Sequence, residues 1–124
     1  MKTNIPSDCG NSPKNKLIAD LTIAFVGYEL NKVEPFLDED IQWTLVGDIT
    51  IDGKKEFLES LSQMISNPAS ELEIFQIVTH GKSAAVNGKM KMKDGSQYGF
   101  ADFYIFSSAS FKKVKSITSY VQAI

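Results

Sequence analysis

The chain has 124 residues, of which 43% are hydrophobic and 23% charged, and this length and composition are typical of one soluble domain with a packed core. Its 13 cationic side chains are all lysines and stand against 15 carboxylates, so the net charge of −2 excludes the basic surface that a nucleic acid partner requires. Because arginine is absent, mechanisms that need a guanidinium clamp are excluded as well.

Single cysteine and histidine residues limit the chemistry further. Cys9 has no partner for an internal disulfide, and with His80 as the one histidine no metal cluster can be assembled. No cofactor is therefore expected, and Cys9 is interpreted as an incidental thiol, with a reactive thiol as the alternative. Residues 1–16 lack the apolar run of a secretory signal, and no segment is long enough to span a membrane. We expect a cytoplasmic protein with no membrane partner.

Residues 1–12 are predicted to form a flexible tail, and residues 13–124 one domain. Ser12 is a good N-cap and Pro13 fits the first helical position. Apolar residues then recur with helical spacing from Leu17 to Tyr28, which predicts a helix ending at about Leu30. A short helical turn is expected at Val33 to Leu37.

From Ile41 the apolar period changes to two, which indicates a strand with Ile41, Trp43 and Leu45 on one face and an end at Gly47. A second helix is predicted to follow, with Asp52 as its cap. The apolar face of this helix comprises Phe57, Leu61, Met64 and Ile65. Asn67-Pro68 ends it, because the residue before a proline disfavours the helical region.

The remaining sequence predicts four strands joined by hairpins. They lie near Leu72–Thr79, Ser83–Met92, Gln97–Phe106 and Lys113–Gln122. Helices gathered on one face of a mostly antiparallel sheet define an α+β fold.

The hairpin at residues 93–95 decides which side chains share a face of the sheet. A three-residue loop with Gly95 in the left-handed region pairs Gly88 with Phe100, and Val86 with Asp102. A two-residue turn would shift the register by one and place lysines among the aromatic side chains, so burial favours the three-residue loop. In that register one apolar surface comprises Val86, Met90, Phe100, Tyr104 and Phe106.

Several segments together resemble one known superfamily. They are the helix Leu17–Leu30, the strand containing Ile41-Gln42-Trp43 and ending at Gly47, Ile51-Asp52-Gly53-Lys54 before a helix, and the closing spacing of Val114, Ile117 and Tyr120. In their order and spacing the sequence resembles the nuclear transport factor 2-like superfamily, and within it the SnoaL-like group. The resemblance covers residues 13–124.

This resemblance implies a cone in which a curved sheet wraps around helices and encloses a pocket. Gly88 fits such a sheet, because a glycine inside a strand often marks a bend. The superfamily includes ketosteroid isomerase, scytalone dehydratase, epoxide hydrolases, polyketide cyclases and many proteins without enzymatic activity. The fold alone therefore does not specify a reaction.

The roles known in these enzymes transfer poorly to this chain. For ketosteroid isomerase, the base position is occupied by Thr44 and the tyrosine position by Ile23, while Asp102-Phe103-Tyr104-Ile105-Phe106 matches the strand that carries the second aspartate. Epoxide hydrolases of the family use an arginine, which this chain lacks. Scytalone dehydratase uses a histidine, and His80 falls in a hairpin.

Asp102 is the candidate catalytic residue, because aromatic side chains share its face and desolvation would raise its pKa. A structural carboxylate is the alternative. The predicted pocket comprises Tyr28, Trp43, Met64, Met90, Phe100, Asp102 and Tyr104, and for most of these plain core packing is the alternative.

Two functions remain from the sequence. The first is a pocket that binds a small apolar molecule without catalysis. The second is an isomerase, cyclase or dehydratase in which Asp102 is the general acid on a carbonyl or polyketide-like substrate.

On the opposite face of the strand that carries Asp102, Phe103 and Ile105 predict a homodimer interface, since an open apolar sheet face favours a symmetric partner.

Overall fold

A single seven-stranded mixed sheet contains every strand of the chain, and the computed structural model describes all residues, 1–124. In chain order the elements are β1 (Lys2–Asn4), α1 (Pro13–Val26), α2 (Leu30–Val33), β2 (Leu37–Leu45), β3 (Thr50–Asp52), α3 (Lys54–Ser62), β4 (Ala69–His80), β5 (Ser83–Met92), β6 (Gln97–Phe106) and β7 (Val114–Ala123). The strand order across the sheet is β1-β4-β5-β6-β7-β2-β3. The pairs β1–β4 and β2–β7 are parallel, and the others are antiparallel.

The sheet is curved and open, and its concave face carries the helices, which is the predicted α+β cone. Strand β4 carries a bulge between Ile74 and Gln76, beside Gly88 of β5. A Cβ atom on Gly88 would overlap the backbone carbonyl oxygen of Glu73. The glycine therefore permits the close approach of the two strands, as a glycine inside a strand often does.

The predicted start of α1 is confirmed, and its end comes one turn earlier than expected. The Ser12 side chain accepts a hydrogen bond from the Asn15 amide at 3.1 Å, and Pro13 is the first helical residue. The helix stops at Val26, and Tyr28 then takes a positive φ of 53°. The predicted turn at Val33 to Leu37 is instead α2 followed by a 3₁₀ turn at Glu34–Phe36, so β2 begins at Leu37.

The N-terminal segment differs from the predicted flexible tail. Residues Lys2–Asn4 form β1 and pair in parallel with β4. A 3₁₀ turn at Ser7–Gly10 then buries Cys9 among core side chains. Cys9 is 3% exposed and is therefore a core side chain, and this burial raises the pKa of its thiol.

Two predicted features of the second helix are wrong. Asp52 does not cap α3, because it belongs to β3 and accepts a hydrogen bond from the Gln42 side chain at 3.0 Å. Gly53, at a φ of 93°, occupies the N-cap position instead. The helix also ends at Ser62, which leaves Ile65 exposed in the connection to β4 rather than on a buried helix face.

The predicted register of β5 and β6 is confirmed. Gly88 pairs with Phe100 and Val86 with Asp102. The Met92 amide donates to the Ser96 carbonyl at 2.8 Å across the three-residue loop. Gly95 has the required positive φ of 91°, so the alternation of side chains follows the prediction along both strands.

A row of aromatic rings extends from the cavity wall into the hydrophobic core. Centroid distances of 4.8 to 6.3 Å link Trp43, Phe57, Phe25, Tyr104 and Phe106 in succession, and Phe106 stacks on Phe111 at 3.9 Å.

No helix of the chain is both long and apolar enough to cross a lipid bilayer.

Candidate functional site

A cavity of about 610 Å³ lies between the concave face of the sheet and the helices α1 and α3. Its size is within the range of small-molecule sites. Most of the lining residues are hydrophobic. The lining consists of Phe25, Val26, Tyr28, Trp43, Leu45, Val46, Asp48, Phe57, Leu61, Gln63, Met64, Ser66, Asn67, Met90, Met92, Tyr98, Phe100, Asp102, Tyr104, Ile117, Ser119 and Val121.

The floor of the cavity carries a short hydrogen-bonded chain of polar groups. Asp102 of β6 and Ser119 of β7 are register partners on adjacent strands. Trp43 reaches the same point from β2, which runs parallel to β7, and its indole N–H donates to the Ser119 hydroxyl oxygen at 3.0 Å. The Ser119 side chain also lies beside the Asp102 carboxyl group and acts on it as a donor that favours the charged form.

The surroundings of Asp102 alter its acidity. Removal from water raises the pKa of Asp102 from 3.8 to about 6, because the apolar environment disfavours the charged form. The hydrogen bond from Ser119 acts in the opposite direction and limits the rise. None of the ion pairs in the chain includes Asp102, so its carboxyl group has no cationic partner.

Two tyrosine hydroxyls add polar groups to the cavity. Burial raises the pKa of Tyr104 well above its usual value, and the nearby Asp102 charge and a hydrogen bond with Thr22 act on it as well. Burial also raises the pKa of Tyr28, with a smaller contribution from Tyr98. The positive φ of Tyr28 is uncommon for a large side chain, and such strained conformations concentrate at functional sites.

The rim of the cavity is formed by two connecting segments and the end of β7. Val46 and Asp48 belong to the β2–β3 connection, and Met64 belongs to the α3–β4 connection. The Met64 side chain is 41% exposed, because α3 ends before it. Its place is therefore the rim of the cavity and not the buried helix face expected from the spacing.

All seven residues predicted for the pocket lie on the cavity wall: Tyr28, Trp43, Met64, Met90, Phe100, Asp102 and Tyr104. Thr44 and Ile23, which occupy the positions of catalytic groups in ketosteroid isomerase, do not line it. His80 is exposed at the end of β4, away from the cavity. Ser119 was not predicted, and its signal was its alternation with Ile117 on the inward face of β7.

No basic side chain lines the cavity, and its two carboxyl groups are Asp102 on the floor and the exposed Asp48 at the rim. No three His, Cys, Asp or Glu side chains are grouped closely enough to hold a metal ion. The arrangement offers an apolar enclosure with one carboxyl group at its base.

The outer face of the sheet carries an exposed apolar patch opposite Asp102. Phe103 and Ile105 of β6 are 49% and 42% exposed, and Tyr120 of β7 packs edge-on against Phe103 with ring centroids 6.0 Å apart. Phe75 and Val78 of β4 are also about half exposed. Lys89 pairs with Glu73 at 3.7 Å nearer the β5–β6 loop, so the charged side chains border this patch.

Solved structures with the same cone decide the classification of the fold. A nuclear transport factor 2-like protein of unknown function from Cytophaga hutchinsonii superposes with a TM-score of 0.67 at 18% identity, over 84% of this chain and 95% of that chain. The chain has the nuclear transport factor 2-like fold. This confirms the resemblance expected from the sequence at the level of the fold.

Other proteins with this fold differ in the activities their names imply. A SnoaL-like polyketide cyclase candidate from Shewanella denitrificans aligns with a TM-score of 0.73 at 11% identity, covering 90% of this chain and 92% of the other. An LEH-like epoxide hydrolase from Mycobacterium tuberculosis aligns with a TM-score of 0.70 at 17% identity, covering 86% and 79%. No protein-family model and no curated protein matches the sequence. The nuclear transport factor 2-like fold thus describes the architecture of this chain and does not specify its chemistry, which depends on the residues of the cavity.

Proposed function

We propose that this nuclear transport factor 2-like domain binds a small, predominantly apolar molecule in its cavity, with Asp102 as the polar anchor. The observation that carries the proposal is the combination of an apolar wall with a single hydrogen-bonded polar cluster on the floor. Ligand sites in proteins typically have this composition, since apolar contacts supply affinity and a few polar groups fix orientation.

A panel of steroids, aromatic polyketides and fatty acids tests the proposal by the change in melting temperature. A ligand that binds the native state alone raises the melting temperature. Trp43 is the one tryptophan and lies on the cavity wall, so binding is also expected to change its emission. Emission that stays constant while the melting temperature rises would mean that the ligand does not contact Trp43.

A matched pair of variants locates the site. Val121 lines the rim and Val78 lies on the outer face, and the two are 46% and 52% exposed. Val121→Trp is expected to obstruct the cavity and abolish the ligand-induced rise. Val78→Trp should retain it, because the same change is made outside the cavity. Equal loss, or no loss, in both variants would contradict binding in the cavity.

The second candidate function is an enzyme in which Asp102 is the general acid on a carbonyl or polyketide-like substrate. A pKa of about 6 favours this candidate, because proton transfer is most effective when the pKa of the group is near the working pH. Turnover of a cyclisable polyketide or an enolisable ketone that disappears in Asp102→Asn would support the enzyme. Ligand binding without turnover would support the binding protein.

A homodimer through the outer sheet face is part of the same proposal. Phe103 and Ile105 would lie near its centre, with Tyr120 beside them. A two-fold interface needs one self-complementary patch, and exposed apolar clusters on soluble proteins commonly mark such contacts. The lysines near the β5–β6 loop would lie at the rim, where charges remain hydrated.

A further inference from the structure

The carboxyl group on the cavity floor has no counter-ion in the chain. Its cavity neighbours are uncharged hydroxyl and aromatic side chains, and every ion pair of the protein is formed by other residues. A carboxylate withdrawn from water without a cation is destabilised, and a cation brought beside it restores part of the lost free energy. A positively charged group bound at the floor would therefore stabilise the Asp102 carboxylate.

One polar neighbour of Asp102, Ser119, favours its charged form. Trp43 occupies the acceptor position of the Ser119 hydroxyl, which leaves the hydroxyl hydrogen for the carboxylate. A donor to a carboxylate stabilises the anion relative to the neutral acid. Ser119 is thus the neighbour that favours an ionised Asp102, and it opposes the larger effect of burial.

The walls around this carboxyl group are aromatic. Seven rings line the cavity: Phe25, Tyr28, Trp43, Phe57, Tyr98, Phe100 and Tyr104. The faces of aromatic rings attract cations, and rings that enclose a quaternary ammonium group are a recurring recognition mode. An anionic ligand would meet no basic side chain here and would be repelled by Asp102 and, at the rim, by Asp48.

We propose that the ligand of this cavity carries one positive charge, as an amine or a quaternary ammonium group on an apolar body, and that the charge lies between Asp102 and the aromatic walls. This inference rests on the proposed binding function and names the class of ligand. It also separates this cavity from one that holds a fatty acid or an uncharged ketone.

Three probes with one apolar body test the inference by calorimetry. They are phenylbutyl-trimethylammonium, its uncharged tert-butyl isostere, and phenylpentanoate. At pH 8 the ammonium probe is expected to bind at least about tenfold more tightly than the isostere, which corresponds to one close charge contact with some ring contribution. The carboxylate probe should bind more weakly than both.

The pH dependence identifies the group responsible. The quaternary ammonium group does not titrate, so a change in affinity belongs to the protein. Among the titratable groups facing Asp102, Tyr28 and Tyr104 have raised pKa values and remain neutral up to pH 8, Tyr98 is a further phenol, and Asp48 lies at the rim. Lowering the pH to 5 protonates Asp102 and should reduce the advantage of the ammonium probe to less than about threefold.

Two variants complete the test. Asp102→Asn should lose the advantage at pH 8 and still bind the isostere, whereas Asp48→Asn should retain it. If Asp102→Asn does not fold, the pH dependence of the parent protein remains the decisive measurement. Equal affinity of the ammonium probe and the isostere would overturn the inference, and so would tightest binding of the carboxylate probe. Either result would leave the proposed binding function intact. Absence of binding by all three probes would overturn the inference, and the melting-temperature panel would then decide the binding function by itself.

Discussion

Asp102 and Ser119 are register partners on neighbouring strands, and both side chains line the floor of the cavity. Their pairing joins a carboxyl group to a hydroxyl that is itself held by the indole of Trp43 at 3.0 Å. Ser119 is 4% exposed, one of two polar residues buried in the chain, the other being Thr22. A buried polar side chain is stable where its hydrogen bonds are satisfied, and the Trp43 indole supplies such a bond to Ser119.

The stability of the protein should depend on the ionisation of Asp102. Its pKa is about 6 in the native protein and about 3.8 in the unfolded chain, so between these values the native state binds more protons than the unfolded state. The contribution of Asp102 to the free energy of unfolding is therefore greatest below about pH 4 and falls as the pH rises through 6. The full loss is about 3 kcal/mol.

Asp102→Asn should remove this loss, because the amide cannot ionise. We expect the variant to be more stable than the parent at pH 7 by about 1 to 3 kcal/mol, with the difference vanishing near pH 4. Urea unfolding from pH 4 to pH 8 measures it, and the difference between the proteins isolates Asp102 because they share all other carboxylates. A difference that does not change with pH would contradict the raised pKa. Asp48→Asn, at the exposed rim, provides the control.

Ser119→Ala should raise the pKa of Asp102 above 6, since the variant lacks the donor that favours the charged form. Loss of the buried hydroxyl should also lower the free energy of unfolding by about 1 to 2 kcal/mol, because the Trp43 indole loses its acceptor. NMR titration of the Asp102 carboxyl carbon and the emission of Trp43 measure the two effects. Ser116→Ala, at the register partner of Ile105 on the outer face, should change neither. An unchanged titration in Ser119→Ala would show that Ser119 does not influence the acidity of Asp102.

Gly88→Ala should destabilise the sheet strongly. The added methyl group would overlap the backbone carbonyl of Glu73, which a backbone shift at the β4 bulge must relieve. We expect a loss of more than about 2 kcal/mol in the free energy of unfolding, or failure to fold. Gly99→Ala is the matched control in the adjacent strand, where the nearest atom is a side-chain carbon of Ile124 at 4.0 Å. Equal stability of the two variants would show that the strands do not approach so closely.

Phe103→Lys should convert the proposed dimer into a monomer. The charge would stand at the centre of the apolar patch, beside Tyr120, and burying it unpaired costs more than such an interface gains. Light scattering at micromolar protein is expected to give two chains for the parent and one for the variant. Ile65→Lys, an exposed apolar residue away from the sheet, should remain a dimer. A parent mass of one chain would refute the dimer, and a folded dimeric Phe103→Lys would refute the interface.

Local rules in the sequence were enough to place Asp102 on the cavity face. Glycine is one of the few residue types that tolerate a positive φ, and Gly95 adopts one. The loop length and the register of β5 with β6 therefore follow from the residues of the loop itself. Once the register is known, the two-residue period of the strands puts Phe100, Asp102 and Tyr104 on one face. The Ser12 cap of α1 is also local and was predictable for the same reason.

Contacts between distant segments were decided only by the tertiary structure. The hydrogen bond from Trp43 to Ser119 exists because β2 lies parallel to β7, and nothing near either residue in the sequence specifies that pairing. The strand β1 and the buried Cys9 likewise depend on β4, which lies more than sixty residues further along the chain. Periodicity and turn chemistry predict which residues are neighbours within a hairpin. Parallel strand pairing and the burial of a short polar segment instead depend on contacts with parts of the curved sheet that are distant in the sequence.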